Sequence, residues 1–286
     1  MYYNVMQACK RHRSIRAAVA LLAACLVWST PGAAQGDKVA VPLSDPARPV
    51  MLKASLLNGS ITVNGYDGNE VVVEARVRDG DAPAREGGMK RVPMTATGLS
   101  VEEENNQVVV SANSIQRTID LTIQVPRKTS VHLSTVNNGD IAASGIDGEM
   151  DINDVNGRVT LKNVSGNAVA HALNGKVLVT FDRINAQKPM AFSSMNGDID
   201  VTFPADLKAN VSLSSERGDV FSDFDIQVES RAPAQTPVQG QREGGKYKVS
   251  VDKAVRGKIN GGGQEIQFKN FNGGIYIRKA GVAKTQ

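Results

Sequence analysis

The amino-acid sequence predicts an all-β protein built from a repeated unit, and two observations carry this prediction. First, the pair Asn-Gly returns at positions 138, 156, 174 and 196, and Arg217-Gly218 holds the same place in a fifth copy, so the steps are 18, 18, 22 and 21 residues. A near-constant step of this size identifies an internal repeat. Second, apolar and polar residues alternate on both sides of each pair, which is typical of two half-buried strands per copy.

The alternation predicts which side chains face the core. Apolar residues recur three and five positions after each Asn, although the fifth copy has Val220 and the polar Ser222 there. They also recur four and six positions before each Asn, shifted by one in the first copy, where Asn137 is extra. Val159, Val177 and Ile199 take equivalent places in three successive copies. They should therefore form one continuous inward column.

The copies must stack on one another, because strands of about five residues cannot bury an apolar face alone. Two arrangements satisfy the alternation. In a repeat β-solenoid resembling a parallel β-helix, each Asn-Gly is a corner, and each copy pairs in parallel with the next. In stacked antiparallel hairpins, each Asn-Gly is instead a type I′ turn. The near-constant step favours a single-domain solenoid, and the hairpin arrangement is the alternative.

Residues 1–34 are predicted to be a signal peptide. Four basic residues between positions 10 and 16 precede an apolar run, Ala17–Trp28, that is too short to span a bilayer. Small residues at 31–34 then offer a cleavage site before Gln35. A lipoprotein signal that anchors the chain through Cys25 is the alternative. The protein is expected to be exported to the periplasm, the outer envelope or the medium, with no transmembrane span in the mature chain.

Removal of this segment changes what the composition implies. Four of the 33 Lys and Arg residues lie in residues 1–34 and none of the 29 Asp and Glu residues do, so the remainder has 29 basic and 29 acidic residues. A balanced charge argues against a nucleic-acid partner. Both cysteines, Cys9 and Cys25, also lie in this segment, so the core rather than disulfides must hold the mature fold.

The mature chain is predicted to form one domain. Residues 35–49 are expected to be a polar entry segment, and the β-solenoid domain is expected at 50–278. Clusters of Gly and Pro predict surface insertions at 79–98 and 227–245, and the second is also rich in Gln. Residues 279–286 are expected to be a frayed tail.

Motifs that carry metal or cofactor chemistry are missing from the sequence. No cluster of His, Cys and Asp has zinc spacing, no Gly-x-Ser-x-Gly elbow is present, and the Lys of a phosphate-binding loop does not follow Gly261–Gly263. His132 and His171 stand between inward positions and are predicted to point into solvent. We therefore expect no metal and no cofactor.

Two pairs of carboxylates are the candidates for catalysis. Asp198/Asp200 and Asp223/Asp225 each lie two residues apart, which places both members on the outer face, about 6–7 Å apart along one strand. That separation suits an inverting glycoside hydrolase. No aromatic platform accompanies either pair, since aromatic residues are sparse. We therefore predict no catalytic residue and a protein that is not an enzyme.

Charged residues recur directly after each Asn-Gly pair. They form a column of five, namely Asp140, Arg158, Lys176, Asp198 and Asp219. If the copies stack about 4.8 Å apart, Asp140 lies opposite Arg158 and Lys176 lies opposite Asp198. Such pairs help to set the register, although each exposed pair contributes only about 0.2–1 kcal/mol. The same column is the candidate strip for binding a ligand.

A set of short motifs runs through the strands and corners. They are Val125-Pro126, Val131-x-Leu133-x-Thr135, Asn138-Gly139-Asp140-Ile141 and the closing Gly257-x-Ile259-Asn-Gly-Gly-Gly263. As a set they resemble the bacterial "putative adhesin" family of β-strand-repeat proteins of unknown function, over about Val50 to Arg278. The resemblance implies a β-solenoid on an exported protein and an expectation of adhesion. It assigns no functional residue.

These features together predict a cell-envelope β-repeat protein that acts as a non-catalytic, adhesin-like scaffold or binding surface. Its expected partner is an envelope polysaccharide or another surface protein. Two alternatives remain open: a carbohydrate-active β-helix enzyme, meaning a polysaccharide lyase or hydrolase, and an accessory protein of an envelope-stress system. Carboxylates that converge in a groove would favour the enzyme, whereas scattered carboxylates would favour the binding surface.

Overall fold

The computed structural model describes residues 36–78, 85–86, 89–90, 96–112, 117–229, 241–243, 246–248 and 254–281. Residues Ala34–Gln286 form one compact unit. The predicted signal peptide, including Cys25, lies outside the described residues, as do most of the predicted insertion 79–98, the middle of the predicted loop 227–245 and the end of the predicted tail. The described part of the chain contains no helix that could cross a membrane.

All regular elements of the described residues are β-strands, which confirms the predicted all-β class. In chain order they are β1 (Asp37–Pro42), β2 (Val50–Asn58), β3 (Ile61–Tyr66), β4 (Glu70–Val77), β5 (Arg85–Glu86), β6 (Met89–Lys90), β7 (Leu99–Glu104), β8 (Gln107–Ala112), β9 (Ile119–Pro126), β10 (Thr129–Asn137), β11 (Ile141–Ser144), β12 (Asp147–Asp154), β13 (Val159–Ala172), β14 (Val177–Ile184), β15 (Met190–Asn196), β16 (Ile199–Phe203), β17 (Ala209–Arg217), β18 (Val220–Ser222), β19 (Ile226–Val228), β20 (Gln241–Glu243), β21 (Lys246–Lys248), β22 (Val255–Ile259), β23 (Gln264–Asn272) and β24 (Ile275–Lys279).

The repeated copies pair in parallel within one 20-stranded sheet. Strands that precede the corners make a first column, in the order β2, β10, β12, β13, β15, β23, β17. Strands that follow the corners make a second column, in the order β3, β11, β13, β14, β16, β24, β18. Each copy, or rung, therefore pairs with neighbouring rungs. The stacked-hairpin alternative is wrong for the repeat, because strands joined by a corner belong to different columns.

Antiparallel strands close both ends of the columns. At one end β4 pairs with β9 and β1, and β7 pairs with β8. At the other end β22 pairs with β17 and β19. Strand β1 lies within the predicted polar entry segment, residues 35–49. Its mostly exposed residues form an edge strand, and an antiparallel edge tolerates polar side chains because one of its faces meets solvent.

The predicted insertions contain short strands of their own. Strands β5 and β6 form a two-stranded antiparallel ladder within 79–98, and β20 pairs with β21 near the end of 227–245. The first residues of the second insertion, in β19, belong to the main sheet. Both segments are therefore partly regular, which their Gly and Pro content did not indicate.

The predicted inward positions form the core. Val159, Val177 and Ile199 are each 0 % exposed and pair directly across rungs, as predicted. The fifth copy departs from the prediction, since Val220 is 38 % exposed. Its strand, β18, has only three residues and is the last of its column. Near that end the core is filled by a cluster of four phenylalanines, Phe181, Phe192, Phe203 and Phe268.

The corner glycines let adjacent rungs approach closely. A Cβ atom on Gly175 would lie 1.8 Å from the carbonyl oxygen of Gly157, and one on Gly157 would lie 2.0 Å from that of Gly139. No side chain fits at such a distance. The repeat therefore needs glycine for its missing side chain, which permits the close approach of one backbone to another.

The corner asparagines form a hydrogen-bonded ladder. Each Nδ2 donates to the Oδ1 of the neighbouring asparagine at 2.8–3.0 Å, from Asn156 to Asn137, Asn174 to Asn156, Asn196 to Asn174 and Asn272 to Asn196. Stacked asparagine side chains are a known source of stability in layered strands. Asn272 belongs to the last copy in the sequence. That copy therefore lies between the fourth and fifth copies, out of chain order.

Candidate functional site

The charged column lies along the corners, and part of its predicted pairing forms. Lys176 Nζ lies 2.8 Å from Asp198 Oδ2, as predicted. The hydrogen bond from Lys176, with a second from the backbone N–H of Gly274 at 3.0 Å, holds the pKa of Asp198 below its usual range. Asp140 behaves differently from the prediction. It accepts a hydrogen bond of 2.8 Å from the backbone N–H of Arg158, and the described residues show no ion pair between these two side chains.

Asp219 is separated from the rest of the charged column. The backbone N–H of Ile199 donates to the carbonyl of Gly274 at 2.9 Å, and that of Ile275 donates to the carbonyl of Asp219 at 3.0 Å. Gly274 therefore occupies the place between Asp198 and Asp219. The column is interrupted by a residue without a side chain, because the last copy lies between the fourth and the fifth.

The Asp198/Asp200 pair has a basic partner on each carboxylate. Asp198 contacts Lys176, and Asp200 Oδ1 accepts a hydrogen bond from Arg278 Nε at 2.7 Å. This bond raises the pKa of Arg278. A general acid in a glycoside hydrolase needs a raised carboxyl pKa so that it keeps its proton. Lys176 favours the ionised form of Asp198 and lowers its pKa, so Asp198 is unsuited to act as that acid.

The Asp223/Asp225 pair lies at the exposed end of the second column and flanks the buried Phe224. Asp223 Oδ2 accepts a hydrogen bond from the backbone N–H of Lys279 at 3.1 Å. Asp223 also lies close enough to Arg278 to contribute to the rise of its pKa, after Asp200. The structure thus brings one member of each predicted pair to the same guanidinium, which neutralises part of their charge.

The two histidines lie on the outer face of the first column, as predicted. His132 Nδ1 lies 3.0 Å from Asp151 Oδ2, and His171 Nδ1 contacts the hydroxyl of Ser193. Within the described ranges, no group of three or more His, Cys, Asp and Glu side chains is placed to hold a metal ion. Each histidine therefore lies between polar residues of two adjacent rungs, His132 between Lys53 and Asp151 and His171 between Asn153 and Ser193.

An exposed apolar row runs beside the asparagine ladder and was not predicted. Leu173, Met195 and Phe271 directly precede ladder asparagines, Leu57 directly precedes Asn58, and each of the four is at least 40 % exposed. A groove of about 510 Å³ on the first column is lined by Leu173, Met195 and Phe271 and by outward polar side chains such as His171. Exposed apolar surface of this kind often marks an interaction site. The sequence signal for this row is the apolar residue that directly precedes the corner Asn in most copies.

One buried carboxylate also escaped the sequence analysis. Asp154 is 4 % exposed and pairs with Thr135 on the adjacent rung. Neither its carboxylate oxygens nor the Thr135 hydroxyl have a hydrogen-bond partner of good geometry among the described residues. Burial raises the pKa of Asp154 to about 6, and the nearby charge of Asp140 adds to the rise. The signal was its place two residues before Asn156, which is an inward position in the alternation.

Two aromatic side chains meet on the outer face of the second column, contrary to the expectation that no aromatic platform accompanies the acidic pairs. The rings of Phe221 and Tyr276 stack with centroids 5.3 Å apart and planes 10° apart. Tyr276 pairs with Asp200 on the next rung. The sequence hid this contact because it depends on the position of the last copy.

Comparison with known proteins gives a family match on the repeat. Residues 130–260 match the family model described as Toastrack DUF4097, which confirms the resemblance drawn from the sequence motifs. One similar solved structure is a "putative cell adhesion protein" from Clostridium sporogenes ATCC 15579, with 11% identity and a TM-score of 0.43, covering 86% of this chain and 100% of that one. Another is a "putative adhesin" from Bacteroides fragilis NCTC 9343, with 10% identity and a TM-score of 0.35, covering 86% of this chain and 98% of that one. No curated protein matches the chain.

Proposed function

We propose that this chain, whose residues 130–260 match the Toastrack DUF4097 family, is an exported, non-catalytic binding scaffold that acts in the manner of an adhesin. Its rungs are the coils of a β-solenoid, and its predicted signal peptide directs it to the cell envelope or beyond. The partner is an envelope polysaccharide or the surface of another protein, held along the outward faces of the rungs.

The exposed apolar row with its groove is the observation that carries this proposal. Soluble proteins rarely expose apolar side chains in a continuous series unless a partner covers them. Here the series holds one apolar residue per rung from Leu57 to Phe271, with Val136 and Val155 half-buried between Leu57 and the exposed Leu173, Met195 and Phe271. A row of this kind suits an extended partner, because each further rung adds a similar contact.

The state of the acidic residues supports binding rather than catalysis. Catalysis needs unlike groups that converge on the atoms where charge develops. The carboxylates of Asp198 and Asp200 are instead held by Lys176 and Arg278, in contacts of 2.8 and 2.7 Å. These ion pairs fix neighbouring rungs to each other. The lowered pKa of Asp198 makes it a poor proton donor.

Incubation with acidic and neutral polysaccharides tests this proposal. We expect the protein to be retained by a polysaccharide without new reducing ends and without unsaturated products. The matched variants are Asp198→Asn and Asp223→Asn, which remove one acid from each predicted pair. Turnover that either variant abolishes would contradict the proposal and would restore the carbohydrate-active enzyme as the interpretation.

A further inference from the structure

The last rungs of the second column carry a surface that lies outside the groove and shares only Asp198 and Asp219 with the charged column. On the outer face, Asp200 of β16 pairs with Tyr276 of β24, which pairs with Phe221 of β18. We call these three residues, with the charged residues two positions before and after them, the aromatic patch. Neighbouring outward residues lie about 6.5–7 Å apart along a strand and about 4.8 Å apart between strands. The patch therefore measures about 13 by 10 Å.

The rings at the centre of the patch present a flat apolar face to solvent. Phe221 is 52 % exposed, and one side of its ring stacks on Tyr276. In the described part of the chain no strand follows β18 in this column, so no rung covers the other side. Gly274 makes room for the stack, since a Cβ atom there would lie 2.8 Å from Tyr276 Cε2.

Hydrogen-bonding groups border the rings on both sides. Arg278 Cζ lies 5.4 Å from the centroid of Tyr276, and its Nε donates to Asp200. The hydrogen bonds found for Arg278 among the described residues use only this Nε, which leaves its terminal amino groups to donate elsewhere. Asp219 and Asp223 are exposed on either side of Phe221. The patch thus combines an open aromatic face with planar acceptors and donors at its border.

A sugar ring is the ligand that this combination matches. A pyranose has a face of C–H groups, which packs on an aromatic ring, and a rim of hydroxyls that both donate and accept hydrogen bonds. We propose that the aromatic patch binds a neutral glycan, with one pyranose ring on Phe221 and its hydroxyls on Asp219, Asp223 and Arg278. This rests on the proposed function, because it assigns a ligand class and a site to the binding scaffold.

The charge of the patch favours a neutral glycan over an acidic one. The patch holds four carboxylates, Asp198, Asp200, Asp219 and Asp223, against one guanidinium, Arg278, and Lys176 on the next rung pairs with Asp198. The surplus of negative charge repels uronate or phosphate groups. Carboxylates accept hydrogen bonds from neutral hydroxyls without that penalty.

A second copy of the chain is a poorer occupant. Strand β18 is an edge strand, and edge strands can pair with another chain. Antiparallel pairing of two such strands about Phe221 would place Asp219 of one copy opposite Asp223 of the other. Like charges directly opposite each other destabilise a strand pair. Only three residues of β18 would supply backbone hydrogen bonds.

Calorimetric titration of the purified protein with hexasaccharides tests the assignment. The neutral probes are hexamers of glucose, mannose, galactose and N-acetylglucosamine, and the acidic probe is hexagalacturonate. We expect at least one neutral hexamer to bind with a Kd of about 1 mM or lower. Phe221→Ala should weaken that binding about tenfold or more, because exposed aromatic anchors dominate small interfaces. Phe221→Trp, which keeps a flat ring, should retain it.

Val39→Ala is the control. It removes an exposed apolar side chain from β1, at the opposite end of the columns and outside both the aromatic patch and the exposed apolar row. Equal weakening by Phe221→Ala and Val39→Ala, no weakening by Phe221→Ala, or a preference for hexagalacturonate would overturn the assignment. So would a dimer that Phe221→Ala dissociates in gel filtration, or no neutral hexamer binding at all. Product formation in the same samples would instead contradict the proposed function itself.

Discussion

Replacing Asp154 by asparagine should remove a pH-dependent loss of stability. Asp154 is 4 % exposed, and burial raises its pKa from an ordinary 3.8 to about 6. Since each pKa unit corresponds to about 1.4 kcal/mol, ionisation of this group in the folded protein costs about 3 kcal/mol. The folded state keeps a proton that the unfolded state releases. The stability is therefore complete below about pH 4 and is lost as the pH rises through about 6.

Urea unfolding followed by circular dichroism measures this effect. Near pH 4 we expect Asp154→Asn and the original protein to unfold with similar free energies, because both side chains are then neutral. Near pH 7.5 the variant should be more stable by up to about 3 kcal/mol. Thr135 and Asp140 surround the group in both proteins, so the comparison isolates the charge of Asp154.

The control for this prediction is Asp206→Asn, which changes an exposed carboxylate. The difference in unfolding free energy between Asp206→Asn and the original protein should be the same at both pH values. If Asp154→Asn is less stable near pH 7.5, or if its difference does not change with pH, then Asp154 is ionised and well solvated in the folded protein. The assignment of a buried, unpartnered carboxylate would then be wrong.

Three further predictions concern the stack and its chemistry. Val177→Ala should lower the free energy of unfolding by about 2 kcal/mol or more, because it opens a cavity in the core. Lys176→Ala should lower it by less than about 1 kcal/mol. Equal losses for the two variants would mean that Val177 does not face the core while Lys176 faces solvent. Gly175→Ala should lower the free energy of unfolding by about 3 kcal/mol or more, since its Cβ would lie 1.8 Å from the carbonyl oxygen of Gly157. A variant with the same melting temperature as the original protein would show that the rungs are less closely stacked. A chelator should leave the melting temperature unchanged, because no metal-holding group occurs among the described residues; a drop would reveal a bound cation.

Local alternation was sufficient to predict the core of the repeat. Val159, Val177 and Ile199 follow a period of two around a constant corner, and burial requires such residues to share one face. The same period fits parallel coils and antiparallel hairpins equally well. Side-chain parity carries no information on which strand pairs with which. The near-constant step favoured the parallel arrangement, and the structure established the pairing.

Features that depend on strand order could not be predicted. The last copy, with Asn272 and Tyr276, pairs with the fourth and fifth copies rather than following the fifth. This order interrupts the charged column at Gly274 and brings Phe221 onto Tyr276. No local pattern in the sequence specifies it. It was the long-range pairing of strands, and not the chemistry of the residues, that concealed the aromatic patch.

Other features had a local signal that was not used. Asp154 occupies an inward position of the alternation, and an acidic residue there conflicts with burial. The apolar residues before most corner asparagines break the expectation of a polar outer face. The first departure from the pattern marks the buried carboxylate of Asp154, and the second marks the exposed apolar row.

A cross-link between adjacent rungs tests the parallel stacking on which every proposed surface depends. Thr160 and Leu178 pair directly on β13 and β14, and neighbouring strands lie about 4.8 Å apart, within the Cα separation that a disulfide tolerates. In residues 35–286, which contain neither Cys9 nor Cys25, Thr160→Cys with Leu178→Cys should form an intramolecular disulfide on mild oxidation, seen by mass spectrometry. Thr160→Cys with Thr180→Cys, one outward position further along β14, should not. Equal cross-linking of both pairs, or none in the first, would contradict the account.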